Sequence, residues 1–212
     1  FAAARNAGLR KAKGKWVMFI DDDEWFEDIS DIIKFFSSEK YNKFETAAYI
    51  TRNYSDKSGR AYNDRVAVRL SKIWPETKFI GEIHEQLEPL YEPTYYSTAY
   101  VHHYGYAFES KEELYQHSWR NIRMLTEEMA KDKNNWMAGA HLVQEYSAVS
   151  EFFSLIAVAK EMHSSEGCYD YGRVDFTTYA IVMEMKAYLE LKRYAEAYAF
   201  GKEMLDESRL LL

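Results

Sequence analysis

Residues 16–20, Trp-Val-Met-Phe-Ile, form an unbroken apolar run that ends directly on Asp21, Asp22 and Asp23. Such a run has the pattern of a strand buried on both faces of a parallel sheet, and in open α/β sheets ligands bind beyond the carboxyl ends of the strands. Three successive carboxylates at that end repel one another and cap nothing. In an extended chain Asp21 and Asp23 project to one side and Asp22 to the other, so two carboxylates converge. Hard divalent ions such as Mg2+ or Mn2+ prefer oxygen ligands and are typically held by one or two carboxylates plus substrate phosphates. The pattern therefore favours a phosphorylated ligand. A structural reading stands beside it: residues 27–39 read as a helix whose first-turn acids complement the dipole, with Asp28 as N-cap. That accounts for Glu27 and Asp28 but not for the three aspartates. A calcium EF-hand loop fits poorly, because Phe26 stands where that loop needs glycine. An aspartyl-phosphate phosphatase is a better rival, since it also places Asp-x-Asp after an apolar strand, but the lysine and acidic motifs expected downstream are not found.

The 212 residues, 47% of them hydrophobic, can bury one good core or two small ones. A net charge of −7 argues against nucleic acid as the main partner. The single cysteine, Cys168, excludes an internal disulfide and a Cys-rich metal site, which fits a reducing compartment. No apolar stretch approaches the roughly 18 residues of a membrane span, and the first residues lack the order of a secretion signal. The expected location is cytoplasmic, with a peripheral position at the inner face of a membrane as the variant.

Composition changes near residue 107. All three prolines and three β-rich runs, at 46–54, 65–70 and 96–106, lie before it. Residues 1–107 therefore read as α/β. From 108 to 212 Ala, Leu, Met, Glu and Lys recur at helical spacing; Ser110 and Glu113 form a capping box, and Leu114, Ile122, Leu125 and Met129 make one apolar stripe. Inside this helical half, residues 145–162 align with 187–204 at an offset of 42, pairing Tyr146 with Tyr188 and Ala157 with Ala199. Each block is a helix end, a turn and an amphipathic helix. The pattern resembles a degenerate tetratricopeptide-type hairpin array whose connection around 163–173 absorbs the extra length; a plain antiparallel bundle is the alternative. Trp74, Trp119 and Trp136 read as packing residues.

Residues 4–28, ARNAGLRKAKGKWVMFIDDDEWFED, resemble the central signature of family 2 glycosyltransferases with the GT-A fold: an Arg-Asn pair opening a helix, a glycine turn, and a strand ending in Asp-x-Asp. Residues 79–87, FIGEIHEQL, resemble that family's Gly-x-x-His-Glu loop, and 101–106, VHHYGY, resemble the segment that closes the catalytic domain in a bacterial subgroup where a helical repeat region often follows. The resemblance covers about residues 1–107. It implies a partial GT-A, Rossmann-like α/β half and an inverting transfer of sugar from a nucleotide-diphosphate donor, UDP-sugar above all, to a glycan or protein acceptor.

The resemblance also implies roles. Asp21 and Asp23 hold Mn2+ or Mg2+ against the donor diphosphate, with His103 as a third ligand or diphosphate contact. Arg5, Asn6, Asp22 and His84 belong to the donor site, Arg5 through a guanidinium suited to forked phosphate recognition. Glu85 is the candidate general base, against a structural role bonded to His84 or Arg69. Trp25 floors the sugar pocket, against the commoner core Trp. His102 and His103 point to opposite faces of an extended segment, so one of them reaches the site. The family's preceding strands are absent before Phe1, so the expectation is a truncated or complemented domain that transfers little sugar alone. The alternative function is a non-catalytic binding module whose helical half recruits a protein partner or a second copy.

Overall fold

The computed structural model describes residues 2–206 apart from Glu82 and His84. The chain divides into two compact units, residues 1–111 and 112–212, each with its own core.

The first unit runs α1 (Ala2–Leu9), β1 (Trp16–Met18), β2 (Glu24–Asp28), α2 (Ser30–Ser37), a short 3-10 turn, β3 (Thr46–Tyr54), β4 (Tyr62–Lys72), β5 (Lys78–Ile80), β6 (Gln86–Glu88) and β7 (Thr94–His103). Five strands make a mixed sheet in the order β1-β4-β3-β7-β2, while β5 and β6 pair separately. Among the described strands only β3 and β7 run parallel; the other pairs are antiparallel. One face is covered by α2, whose Ile32 and Phe35 pack on Ala47, Tyr49, Leu70, Ala99 and Val101. The fold is therefore α/β in its first unit, followed by a helical region.

Two local expectations are corrected. The apolar run is not a central parallel strand: β1 is an edge strand, antiparallel to β4, and Met18 is 43% exposed. Its apolarity serves a different purpose. Trp16 meets Phe35 and Phe36 edge-on at 5.6 Å, and Trp16, Met18, Ile33 and Phe36 line a groove of about 800 Å³ between β1 and α2. The second correction concerns 27–39. Residues 24–28 are strand, paired to β7, and the helix starts only at Ser30. Asp28 still accepts the Ser30 N–H at 2.8 Å, as a cap would.

The second unit holds α3 (Lys111–Lys131), α4 (Trp136–Ala148), α5 (Phe152–Ser164), α6 (Val174–Glu190) and α7 (Tyr194–Asp206). The 42-residue offset carries α5 onto α7 end to end, and both hairpin turns contain a left-handed residue at the matching place, Ser150 and Lys192. The core gathers Val143, Leu155, Ala159, Ala180, Ala187 and Met204. Trp136 joins it, at 7% exposure, but Trp74 and Trp119 are 40% and 47% exposed and belong to neither core, Trp74 resting edge-on against Tyr91 at 6.0 Å. A single apolar side chain facing outward leaves no trace in periodicity. Among the described residues no helix is long and apolar enough to cross a membrane.

Candidate functional site

The site forms where β1 ends and the chain turns into β2. The Glu24 N–H bonds the Asp21 carbonyl at 3.2 Å, and the Glu24 carboxylate accepts the Asp21 N–H at 3.1 Å. This turn puts Asp21 and Asp23 in different surroundings.

Asp21 faces two arginines. Arg5, from α1, donates to one carboxylate oxygen, and Arg69, from β4, donates to the other at 3.2 Å. Arg69 also holds the buried Glu24 carboxylate at 3.1 Å, and Arg5 also donates to Glu85. Both guanidinium groups lie against Phe19, 5.2 and 5.1 Å from its ring centroid. Aromatic faces favour cations there and keep the fork oriented. Burial pushes the Asp21 carboxyl up, but Arg69 and Arg5 outweigh it and hold it below the ordinary carboxylate range. Burial pulls Arg5 down, yet its bonds to Glu85 and Asp21 leave it more firmly charged than usual. Two cations and three carboxylates form one network.

Asp23 faces His103. The His103 Nδ1 lies 2.7 Å from the Asn53 side-chain oxygen, which can only accept, so Nδ1 carries the hydrogen and Nε2 is left as an acceptor in the neutral ring. That Nε2 lies 3.3 Å from the Asp23 carboxylate. Two acceptors at this distance repel unless a proton or a cation lies between them. An imidazole whose other nitrogen donates to a carbonyl is also the arrangement that orients metal-binding histidines. Gly105 keeps the space: a Cβ there would fall 2.5 Å from His103 Nε2 and 2.6 Å from Asp23 Oδ2. The donor set fits a divalent cation at Asp23 and His103. Asp21 is taken up by Arg5 and Arg69 instead, and among the described residues no group of three His, Cys, Asp or Glu gathers as for a metal ion.

The remaining sequence-derived residues are placed as follows. Asn6 donates to the Phe79 carbonyl and accepts the Phe79 N–H, both at 2.8 Å, so its amide pins α1 to β5 and sets the position of Arg5. Asp22 is exposed beside the turn. Trp25 lies on the opposite sheet face from Glu24, stacked on His102 at 5.2 Å and Tyr104 at 5.5 Å. His102, on that same face, is held between Tyr54 and Glu27 at 2.7 and 2.8 Å. His84 lies outside the described residues. Arg69 and Glu24 were not singled out by the sequence reading as site residues; an arginine within a strand has no motif to mark it.

Residues 1–100 match the model of Glycosyl transferase family 2, which supports a glycosyltransferase family 2 domain in the first unit. No curated protein matches the chain at a significant level. The arginine-carboxylate network and the Asp-His pair lie within the stretch that this likeness marks, or directly after it.

Proposed function

We propose that the first unit takes part in metal-dependent transfer of a sugar, with inversion, from a nucleotide-diphosphate donor to a hydroxyl of a glycan or protein. The observation that carries this reading is the Asp23–His103 pair, a carboxylate oxygen and an imidazole nitrogen 3.3 Å apart in a space that Gly105 leaves open. Asp23 and His103 would hold Mn2+ or Mg2+, which supplies charge to neutralise the leaving diphosphate. Asp21 orients Arg5 and Arg69 toward the same phosphates.

Glu85 is the general base in this reading. It removes the proton of the acceptor hydroxyl as that oxygen attacks the anomeric carbon; the bond from that carbon to the diphosphate breaks, and the diphosphate leaves with the electron pair. In the resting site the Arg5 guanidinium holds the Glu85 carboxylate. Donor phosphates compete for Arg5, and when they draw it away Glu85 is released to accept the proton. The donor therefore binds before the acceptor. The helical unit, two hairpins related by a 42-residue offset, is tetratricopeptide-like in this reading and offers a surface for a partner or a second copy.

The test is a thermal-shift titration of the chain with UDP-glucose, UDP-galactose and UDP-N-acetylglucosamine, each with and without Mn2+. A rise in melting temperature that needs both donor and metal, and that disappears in Asp23→Ala, is the expected result. No rise with any of these donors would remove the reading.

A further inference from the structure

We propose that the sheet face opposite the acid network is a carbohydrate-binding strip, which holds an acceptor glycan chain between Tyr62 on β4 and Trp25 on β2. This rests on the transferase reading for its purpose, but not for its chemistry.

The strip is a row of ring contacts, edge-on between Tyr62 and Tyr54 and stacked from Tyr54 to Trp25. Tyr62 meets Tyr54 at 5.9 Å, Tyr54 lies on Tyr104 at 4.2 Å and 20°, and Tyr104 lies on Trp25 at 5.5 Å and 5°. His102 fills the angle between them, 8° from the plane of Tyr54 and 22° from that of Trp25. Four strands contribute, since the sheet order places β4, β3, β7 and β2 side by side. Three strand spacings cover roughly 14 Å, the span of a short oligosaccharide.

The rings are fixed before anything binds. Tyr54 and Glu27 clamp His102 from its two nitrogens. Asp64 clamps Arg52 with two bonds of 2.8 and 2.9 Å, and that guanidinium lies 4.2 Å from the Tyr62 centroid. Trp25 and Tyr62 nonetheless remain 51% exposed each, because only part of each ring is covered. Pre-ordered aromatic surface lowers the entropic cost of binding.

The chemistry selects the occupant. The exposed parts of the Trp25 and Tyr62 rings suit the C–H faces of pyranoses, and the Glu27 and Asp64 carboxylates and the Arg52 guanidinium beside them suit their hydroxyls. A partner helix would need an unbroken apolar stripe, whereas here Glu27, Arg52 and Asp64 interrupt the rings. A phosphate-bearing ligand would need a basic surface, but these three charges sum to −1 (one Arg, one Asp, one Glu). A neutral saccharide is the match. The strip and the site share one end of the sheet, on opposite faces: Trp25 pairs with His102 across β2 and β7, and Glu24 pairs with His103 one step along.

The probe is a set of three neutral hexasaccharides, cellohexaose, maltohexaose and chitohexaose, titrated by calorimetry into the chain with no nucleotide and no metal. At least one binds with a Kd below about 10 mM, and Trp25→Ala and Tyr62→Ala each weaken it by about tenfold, the scale of one lost stacking contact. Trp25→Phe retains most of the affinity. Tyr96→Ala, which removes an exposed ring outside the stack, and Asp23→Ala leave it unchanged, with folding of every variant checked by circular dichroism. Binding of none of the three, or binding indifferent to Trp25→Ala and Tyr62→Ala, overturns the proposal. Because Asp23→Ala removes the donor response and not this one, the strip and the transferase reading fail separately.

Discussion

Gly105 is the position at which a single atom decides whether Asp23 and His103 share a site. An added Cβ falls 2.5 Å from His103 Nε2, so Gly105→Ala must push the imidazole or the carboxylate aside. Gly105→Ala is expected to fold and to lose the Mn2+-dependent rise in melting temperature, as His103→Ala does; a variant that keeps the full rise would detach metal binding from this pair. Asp21 supports a second prediction, on pH. Its carboxyl is held low against burial by Arg69 and Arg5. A depressed group contributes stability that is present above its unfolded value of about 3.9 and lost as pH falls through its folded value. Acid unfolding followed by circular dichroism should therefore be less steep below about pH 4 in Asp21→Asn than in the parent. The sequence displayed Asp21, Asp23, Arg5, Glu85 and His103 because short motifs carried them. It did not display the partners: a linear motif cannot say that Arg69, 48 residues on, takes the second oxygen of Asp21.

At the scale of elements, the β-rich run at 46–54 became β3 with the same limits, while Glu24–Asp28 was hidden by its charge. Acids are poor strand formers, and Glu-Trp-Phe-Glu-Asp becomes a strand only because β7 supplies the hydrogen-bonding partner and Phe26 reaches Tyr49 at 5.0 Å. Asp31 then ties α2 to β7 by accepting from Ser97, Tyr95 and the Thr98 N–H. Asp31→Ala leaves those donors unpaired and should cost about 1–3 kcal/mol in urea unfolding. The hairpin turns offer a test of opposite sign. Ser150 and Lys192 have φ near +60°, which costs a side chain about 1 kcal/mol relative to glycine. Ser150→Gly and Lys192→Gly should each raise stability by up to about that amount, measured as a higher urea midpoint at unchanged slope. The repeat was legible in sequence through matched Tyr, Ala and Lys-Glu-Met; the left-handed turns were not, because neither carries the glycine that usually announces one.

At the scale of the whole molecule, two cores stand in one chain, and the change in composition that marked the transition from α/β to helical character follows from what each core needs. A sheet covered by a short helix uses rings such as Phe35 and Tyr49, whereas stacked helices use Ala159, Ala180 and Ala187 at their contacts. Each core can then be weakened by itself. Leu155, 1% exposed in the helical core, and Phe35, 1% exposed in the other, are matched targets. Leu155→Ala should cost about 2–5 kcal/mol and Phe35→Ala about 3–5. For units of about 100 residues, 1 kcal/mol moves the midpoint by about 4–8 °C, so either change shifts its own transition by about 10 °C or more. Calorimetry is expected to show each substitution moving a different part of the heat-absorption profile, with UDP-sugar and Mn2+ raising only the part that Phe35→Ala lowers. If both substitutions moved one common peak, the units would unfold together, and the donor response would then report on the helices as much as on the sheet.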